Sequence, residues 1–270
     1  MSRLAIIGGQ GALPKLLADR LTARGESFLL AEMQGFPAGV PGVEPVRFRL
    51  ERLVPFLDHL AQAGVGRIVL AGAVRRPKIE PEFFDARTAA LVPHLAAAMQ
   101  KGDDGALRGL IAILEDWDFE VVGTDAIAPD LVPGPGMLAG AATPRDEADA
   151  VRAAAIVAAL GAVDVGQGAV VAGGQCLAVE ALPGTDAMLA SVAAWRTAET
   201  PRGGLLYKAP KPGQERRADL PALGPATVEG AARAGLAGIA WEAGGVLLLD
   251  REAIVAAAEA RDLFLWSRAP

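Results

Sequence analysis

Short apolar runs alternating with helix-length amphipathic segments fill the first half of the chain, and that alternation restricts the fold more than any other feature. Residues 4–7 (LAII) read as a buried strand. The turn GGQG follows at 8–11, and a helical pattern runs to about residue 24 with Pro14 in its first turn, where a missing N–H costs little. A second strand is expected at 28–31, a helix at 53–63 closed by Gly64, and a third strand at 67–71 (RIVLA). Helical pattern returns in the eighties and over 105–116, and a fourth strand falls at 119–122. Such alternation requires a parallel sheet covered on both faces.

Residues 129–142 (PDLVPGPGMLAGAA) break this rhythm and make the best boundary in the sequence. Beyond it, Thr143 is an expected N-cap, with Pro144 at the first helical position and Asp146 three residues on. Strands are expected at 169–172, 176–181, 203–207, 239–241, 246–249 and 263–266, and helices at 187–195, 227–234 and 252–260. Gly244-Gly245 between two apolar runs predicts a hairpin. The resulting expectation is two α/β domains: a Rossmann-like N-terminal one over 1–134, a linker over 135–144, and a C-terminal one over 145–270.

Charge and composition exclude several classes. Twenty-six cations against 32 anions give a net charge of −6, and no basic stripe exists to neutralise a nucleic-acid backbone. The single cysteine, Cys176, forms no internal disulfide and fits a reducing compartment. His59 and His94 lie in helical surroundings without zinc-site spacing. No secretory signal precedes the first strand, and the longest apolar run, 153–163, is too short to span a bilayer. A cytoplasmic protein is expected, with peripheral membrane contact still compatible.

One segment departs from the acidic balance. From Arg202 to Arg217 there are five cations (Arg202, Lys208, Lys211, Arg216, Arg217) against one anion, Glu215, with Pro210 and Pro212 opposing helix formation. Asp219 follows just before Leu220-Pro221. Cations beside a carboxylate on a loop suit a phosphate-bearing substrate, with the carboxylate holding a metal or moving a proton; a solvated basic loop has the same composition.

Other stretches leave similar alternatives. The turn Gly9-Gln10-Gly11 opens a helix, and Glu32 sits where a dinucleotide fold holds a ribose. Pro14 occupies the position where that motif needs a small residue, so the turn suits a phosphate or hydroxyl group near a helix N-terminus, or no ligand at all. Arg75 and Arg76 follow the third strand, where α/β sheets gather ligands or simply expose a basic loop. Lys101-Gly102-Asp103-Asp104-Gly105 reads as a capping turn or a hard-metal site. Glu180 and Gly184-Thr185-Asp186 form an acidic patch in which Thr185 or Asp186 is by default a helix cap.

Taken in order, GGQGALP (8–14), AGAVRRP (71–77), KGDDGALR (101–108), DVGQGAVV (164–171), AVEALPGTDAM (178–188), KAPKPGQERRADLPALG (208–224) and AARAGLAGIAWEAGG (231–245) resemble the LpxI-type UDP-2,3-diacylglucosamine pyrophosphatases of lipid A biosynthesis. The resemblance implies two α/β domains holding the glycolipid in the cleft between them. It also implies Mg²⁺-assisted hydrolysis of UDP-2,3-diacylglucosamine to UMP and 2,3-diacylglucosamine 1-phosphate (lipid X), with water attacking the sugar-side phosphorus. The essential aspartate of the family's R-x-D-L-P segment matches Asp219.

On that basis Asp219, Lys208, Lys211 and Gln214 are the expected catalytic residues, and Asp219, Asp103 and Asp104 the expected Mg²⁺ ligands. Gly9, Gln10, Gly11, Arg76, Lys101, Gly102, Glu180, Gly184, Thr185, Asp186, Arg217 and Thr227 are the expected substrate contacts. No nucleic acid is expected as a partner. The substrate's two acyl chains imply contact with the cytoplasmic face of the inner membrane, and a homodimer is compatible with the sequence. Two other functions stay open on the residues alone: an NAD(P)-dependent oxidoreductase using the 8–11 turn, and a non-catalytic nucleotide binder.

Overall fold

The computed structural model describes residues 2–74, 78–100 and 102–269, and the side chain of Asp103 is outside that description. The chain divides into two compact units, Met1–Pro129 and Asp130–Pro270.

The first unit is a parallel sheet of five strands, β1 (Arg3–Gly8), β2 (Phe28–Met33), β3 (Val46–Phe48), β4 (Val65–Ala71) and β5 (Glu120–Val122), in the order β3-β2-β1-β4-β5. That is the Rossmann-like arrangement, with chain reversal beside β1. Its helices are α1 (Leu13–Ala23), α2 (Leu53–Gln62), α3 (Ala86–Ala89), α4 (Val92–Met99), α5 (Gly102–Asp116) and α6 (Thr124–Ile127). Helix α1 buries Leu13, Leu17 and Leu21 at four-residue spacing, which puts them on one stripe. Helix α2 likewise buries Leu53, Leu57 and Leu60. Each such leucine contributes about 1.5–3 kcal/mol relative to exposure. Because α5 begins at Gly102, the Asp103-Asp104 pair occupies its first turn rather than a loop before it. Carboxylates are favoured there by the helix dipole.

In the second unit the strands β6 (Gly136–Ala139), β7 (Gly168–Ala172), β8 (Gln175–Val179), β9 (Leu205–Lys208), β10 (Ala222–Leu223), β11 (Gly238–Glu242), β12 (Leu247–Leu248) and β13 (Phe264–Arg268) form two sheets. A mixed six-stranded sheet runs β6-β13-β11-β9-β7-β8, and β10 pairs with β12 in a small parallel sheet. Helices α7 (Pro144–Ala162), α8 (Gly184–Trp195), α9 (Pro225–Arg233) and α10 (Arg251–Glu259) cover both faces of the larger sheet. Strand alternation explains how. Val170, Leu206, Ile239, Trp241 and Leu265 face α8, α9 and α10, whereas Ala169, Val171, Leu205, Tyr207, Ala240 and Phe264 face α7. The small residues Ala150 and Ala153 let α7 approach closely, and the expected N-cap Thr143 forms a capping box with Asp146 at its start.

Two expectations are corrected. Residues 135–144 are not simply a linker: Gly136–Ala139 is an edge strand, antiparallel to β13 at the far end of the chain. The apolar runs flanking Gly244-Gly245 are not a hairpin either. The Gly245 N–H does bond to the Glu242 carbonyl in a turn, but β11 already has β9 and β13 as neighbours, so β12 pairs with β10 instead.

Candidate active site

Ligands of α/β folds collect at the carboxyl ends of parallel strands. In the second unit β9 ends at Lys208, level with Trp241 of β11, and the Pro-rich segment departs from that end. Across the antiparallel pairing with β7, Lys208 faces Gly168.

Lys208 is only 4% exposed. Its Nζ donates to Thr185 Oγ1 at 2.7 Å and to the Ala222 carbonyl at 3.4 Å, and lies 3.6 Å from Glu180 Oε2. Thr185 Oγ1 donates onward to Glu180 Oε1 at 3.0 Å. Burial pulls the Lys208 pKa below that of an ordinary lysine, and the charges of Glu180 and Asp186 offset only part of this. At 3.6 Å the ammonium is a charge neighbour of Glu180 Oε2, not a hydrogen-bond donor to it, and that oxygen has no hydrogen-bond partner among the described residues. Glycine at residue 168 leaves room for the pair in this arrangement: a Cβ there would stand 2.6 Å from Glu180 Oε2 and push that carboxylate aside. Neither Thr185 nor Asp186 caps α8. The cap position is Pro183, without a side-chain bond, and Gly184 is the first helical residue with a φ of +84°.

A second cluster lies on the segment that follows. Gln214 is 8% exposed and its amide is fully engaged. Its Nε2 donates to Asp219 Oδ2 at 2.5 Å and to the Asp219 carbonyl at 3.0 Å. Its Oε1 accepts from the Lys211 N–H at 2.7 Å and from Gln167 Nε2 at 2.8 Å. A turn in which the Asp219 N–H bonds to the Glu215 carbonyl at 3.0 Å completes the frame. Asp219 itself is solvent-exposed. Gln167 was not among the expected site residues. Its only signal in the sequence is a lone amide between two glycines, in the motif DVGQGAVV.

The cationic island of the sequence is largely neutralised, by its own Glu215 and by three carboxylates brought from elsewhere. Besides Lys208 with Glu180, Lys211 pairs with Asp164, Arg216 Nη2 lies 2.6 Å from Glu242 Oε1, and Arg217 Nε lies 2.8 Å from Glu215 Oε1. Thr227 is buried in the first turn of α9, where its hydroxyl accepts from the Gly224 N–H at 3.4 Å, a capping role.

In the first unit, Gly9 and Gln10 are fastened to the end of β4 and the loop after it. The Gly9 N–H bonds to the Ala71 carbonyl at 2.8 Å, and Gln10 exchanges two backbone bonds with Ala73. A Cβ on residue 9 would meet the Ala73 carbonyl at 2.6 Å, so close backbone approach alone requires glycine there. Gly11 has a φ of +105° and open space around it. Glu32 is buried, and its two oxygens accept from the Ala38 N–H and Arg47 Nε. Burial pushes its carboxyl up, but these two donors outweigh burial and hold it below the usual range. Glu32 is thus tied to protein donors where a dinucleotide fold would offer it to a ribose. Near it, a cavity of about 820 Å³ is lined by Gln34, Phe48, Arg52 and His59 among others. Asp104 Oδ2 accepts from Arg108 Nε one helical turn on, at 2.7 Å. Arg75, Arg76 and Lys101 lie outside the described residues, as does the Asp103 side chain.

No group of three or more acidic, histidine or cysteine side chains stands close enough to share a metal among the described residues. Mg²⁺ needs no such cage: it takes one or two carboxylates and completes its shell with phosphate oxygens and water. An exposed Asp219 carboxylate, held by an amide on one oxygen, fits that donor set.

Two family models match the chain, the LpxI N-terminal domain over residues 3–131 and the LpxI C-terminal domain over residues 134–266. UDP-2,3-diacylglucosamine pyrophosphatase LpxI of Caulobacter vibrioides is 40% identical over 275 residues, covering 98% of this chain and 97% of that protein. With both of its halves matched and the likeness running end to end, the chain belongs to the LpxI family.

Proposed function

We propose that the protein hydrolyses the diphosphate of UDP-2,3-diacylglucosamine to UMP and 2,3-diacylglucosamine 1-phosphate, a step of lipid A biosynthesis. The observation that carries this reading is the full-length likeness to a pyrophosphatase of that substrate. Water adds to the sugar-side phosphorus, the bond from that phosphorus to the bridging oxygen breaks, and the bridging oxygen leaves with UMP. Little covalent work is asked of the protein; charge must be neutralised and a water oriented.

Asp219 is the residue we assign to the water. The residue is exposed and one carboxylate oxygen accepts from Gln214 Nε2, which supports a role for that carboxylate in orienting an attacking water and taking the proton released. Asp219 would hold Mg²⁺ together with phosphate oxygens and water. The bound ion would neutralise diphosphate charge. Lys211, Arg216 and Arg217 are proposed phosphate clamps; each must exchange its present carboxylate for substrate oxygens, which surface ion pairs do at small cost. Lys208 is assigned a different part. Buried against Glu180 and Thr185, it anchors the start of the catalytic segment and contributes positive potential from beneath.

No helix among the described residues is long and apolar enough to cross a membrane. A substrate with two acyl chains nevertheless supports action at a membrane surface. The test of the function is direct: incubation with UDP-2,3-diacylglucosamine and Mg²⁺ releases UMP and the sugar 1-phosphate, and EDTA stops the release. Intact substrate after incubation with folded protein and Mg²⁺ would refute the assignment.

A further inference from the structure

Gln214 can serve Asp219 in only one orientation. A glutamine amide can turn over, exchanging its oxygen for its NH₂, and Gln214 would then set an acceptor against a carboxylate. Two of its neighbours define the correct orientation. The Lys211 main-chain N–H can only donate, so Oε1 must face it. The Asp219 carbonyl and carboxylate accept, so Nε2 must face them. The third neighbour, Gln167 Nε2, supplies a second donor to Oε1 at 2.8 Å.

Gln167 is well placed for this because its backbone is part of the sheet. Its carbonyl accepts from the Ala209 N–H at 3.1 Å, extending the pairing of β7 and β9 by one residue. The residue before it must be glycine, because a Cβ at residue 166 would lie 2.0 Å from the Glu180 carbonyl oxygen; one at residue 168 would lie 2.6 Å from Glu180 Oε2 and displace that side chain. Between these two glycines the Gln167 side chain reaches Gln214.

We propose, on the reading that Asp219 is the catalytic carboxylate, that Gln167 is a positioning residue for the hydrolysis, acting through Gln214 to hold Asp219 in its working orientation. In this role Gln167 acts on Asp219 through Gln214 and makes no contact with the substrate. Its contribution belongs to turnover and not to substrate affinity.

Gln167→Glu is the sharp perturbation, because it replaces the donor with an acceptor facing Gln214 Oε1 at nearly unchanged volume. With UDP-2,3-diacylglucosamine and Mg²⁺, kcat should fall about tenfold, as expected for a lost and then opposed hydrogen bond, and KM should stay within about twofold. In a Gln214→Leu background the same change should lower kcat no further, since the path to Asp219 is already cut. Gln167→Ala removes the donor without adding charge, and should lower kcat about threefold with the same dependence on Gln214. It keeps the test decisive if the Glu variant does not fold. Wild-type kcat in the folded Gln167 variants beside an inactive Asp219→Ala overturns the positioning role alone. A loss that multiplies with that of Gln214→Leu, or a rise in KM at constant kcat, overturns it too. Substantial turnover by Asp219→Ala would overturn both this role and the reading beneath it.

Discussion

Replacing Lys208 with methionine tests the buried end of the site. The Lys208 side chain is 5% exposed and the Glu180 side chain 14% exposed, so neither charge is well hydrated. Methionine fills a similar volume without the charge, leaving the Thr185 hydroxyl as the donor to the Glu180 side chain among the described residues. Breaking one half of a buried ion pair costs about 3–5 kcal/mol, largely because the remaining charge is stranded. For a unit of this size the melting temperature should drop by about 10 °C. Glu180→Gln should be destabilising in the same way. The double variant should lose far less than the sum, because no charge is then stranded. Urea denaturation of the four proteins at neutral pH reads these losses. Additive losses, or a methionine variant that melts like wild type, would show that Lys208 and Glu180 do not form the coupled pair described.

Three further outcomes follow from the same kind of reading. Arg196 donates to the carbonyls of Ala234 and Gly203 at 2.7 and 2.8 Å, and also to those of Gly235 and Pro201, so Arg196→Lys, which lacks the planar fork, should cost about 2 kcal/mol in urea denaturation. Thr143→Ala removes the capping box of α7 and should cost about 1 kcal/mol, with Thr143→Ser restoring most of it. Glu32, whose carboxyl lies below its ordinary 4.5, contributes stability in full above that value and loses it as pH falls through the folded one; Glu32→Gln should therefore flatten the acid limb of the stability profile.

How much of this was visible beforehand depends on the range of the interactions. The parallel sheet of the first unit was legible, since runs such as RIVLA and the four-residue leucine spacing of α1 are local consequences of burial. Strand β3 was not: three residues interrupted by an exposed Arg47 carry no pattern. Strand β6 was hidden because Pro and Gly surround it and its partner lies at residues 265–267. Composition singled out the Pro-rich segment and Asp219 as candidates. It misjudged the field there, because Asp164, Glu180 and Glu242 reach the cations only through the tertiary fold. Thr185 looked like a cap and instead bridges Lys208 and Glu180, a pairing that depends on the opposition of β7 and β9. Gln167 could be found only once its side chain had somewhere to point.

Turnover of Asp219→Ala is the measurement that bears most directly on the chemistry proposed. With UDP-2,3-diacylglucosamine and Mg²⁺, UMP release should fall at least about a hundredfold while the melting temperature stays near wild type, because the residue is exposed and packs no core. A folded Asp219→Ala protein that releases UMP at close to the wild-type rate would contradict the assignment of that carboxylate to the reaction.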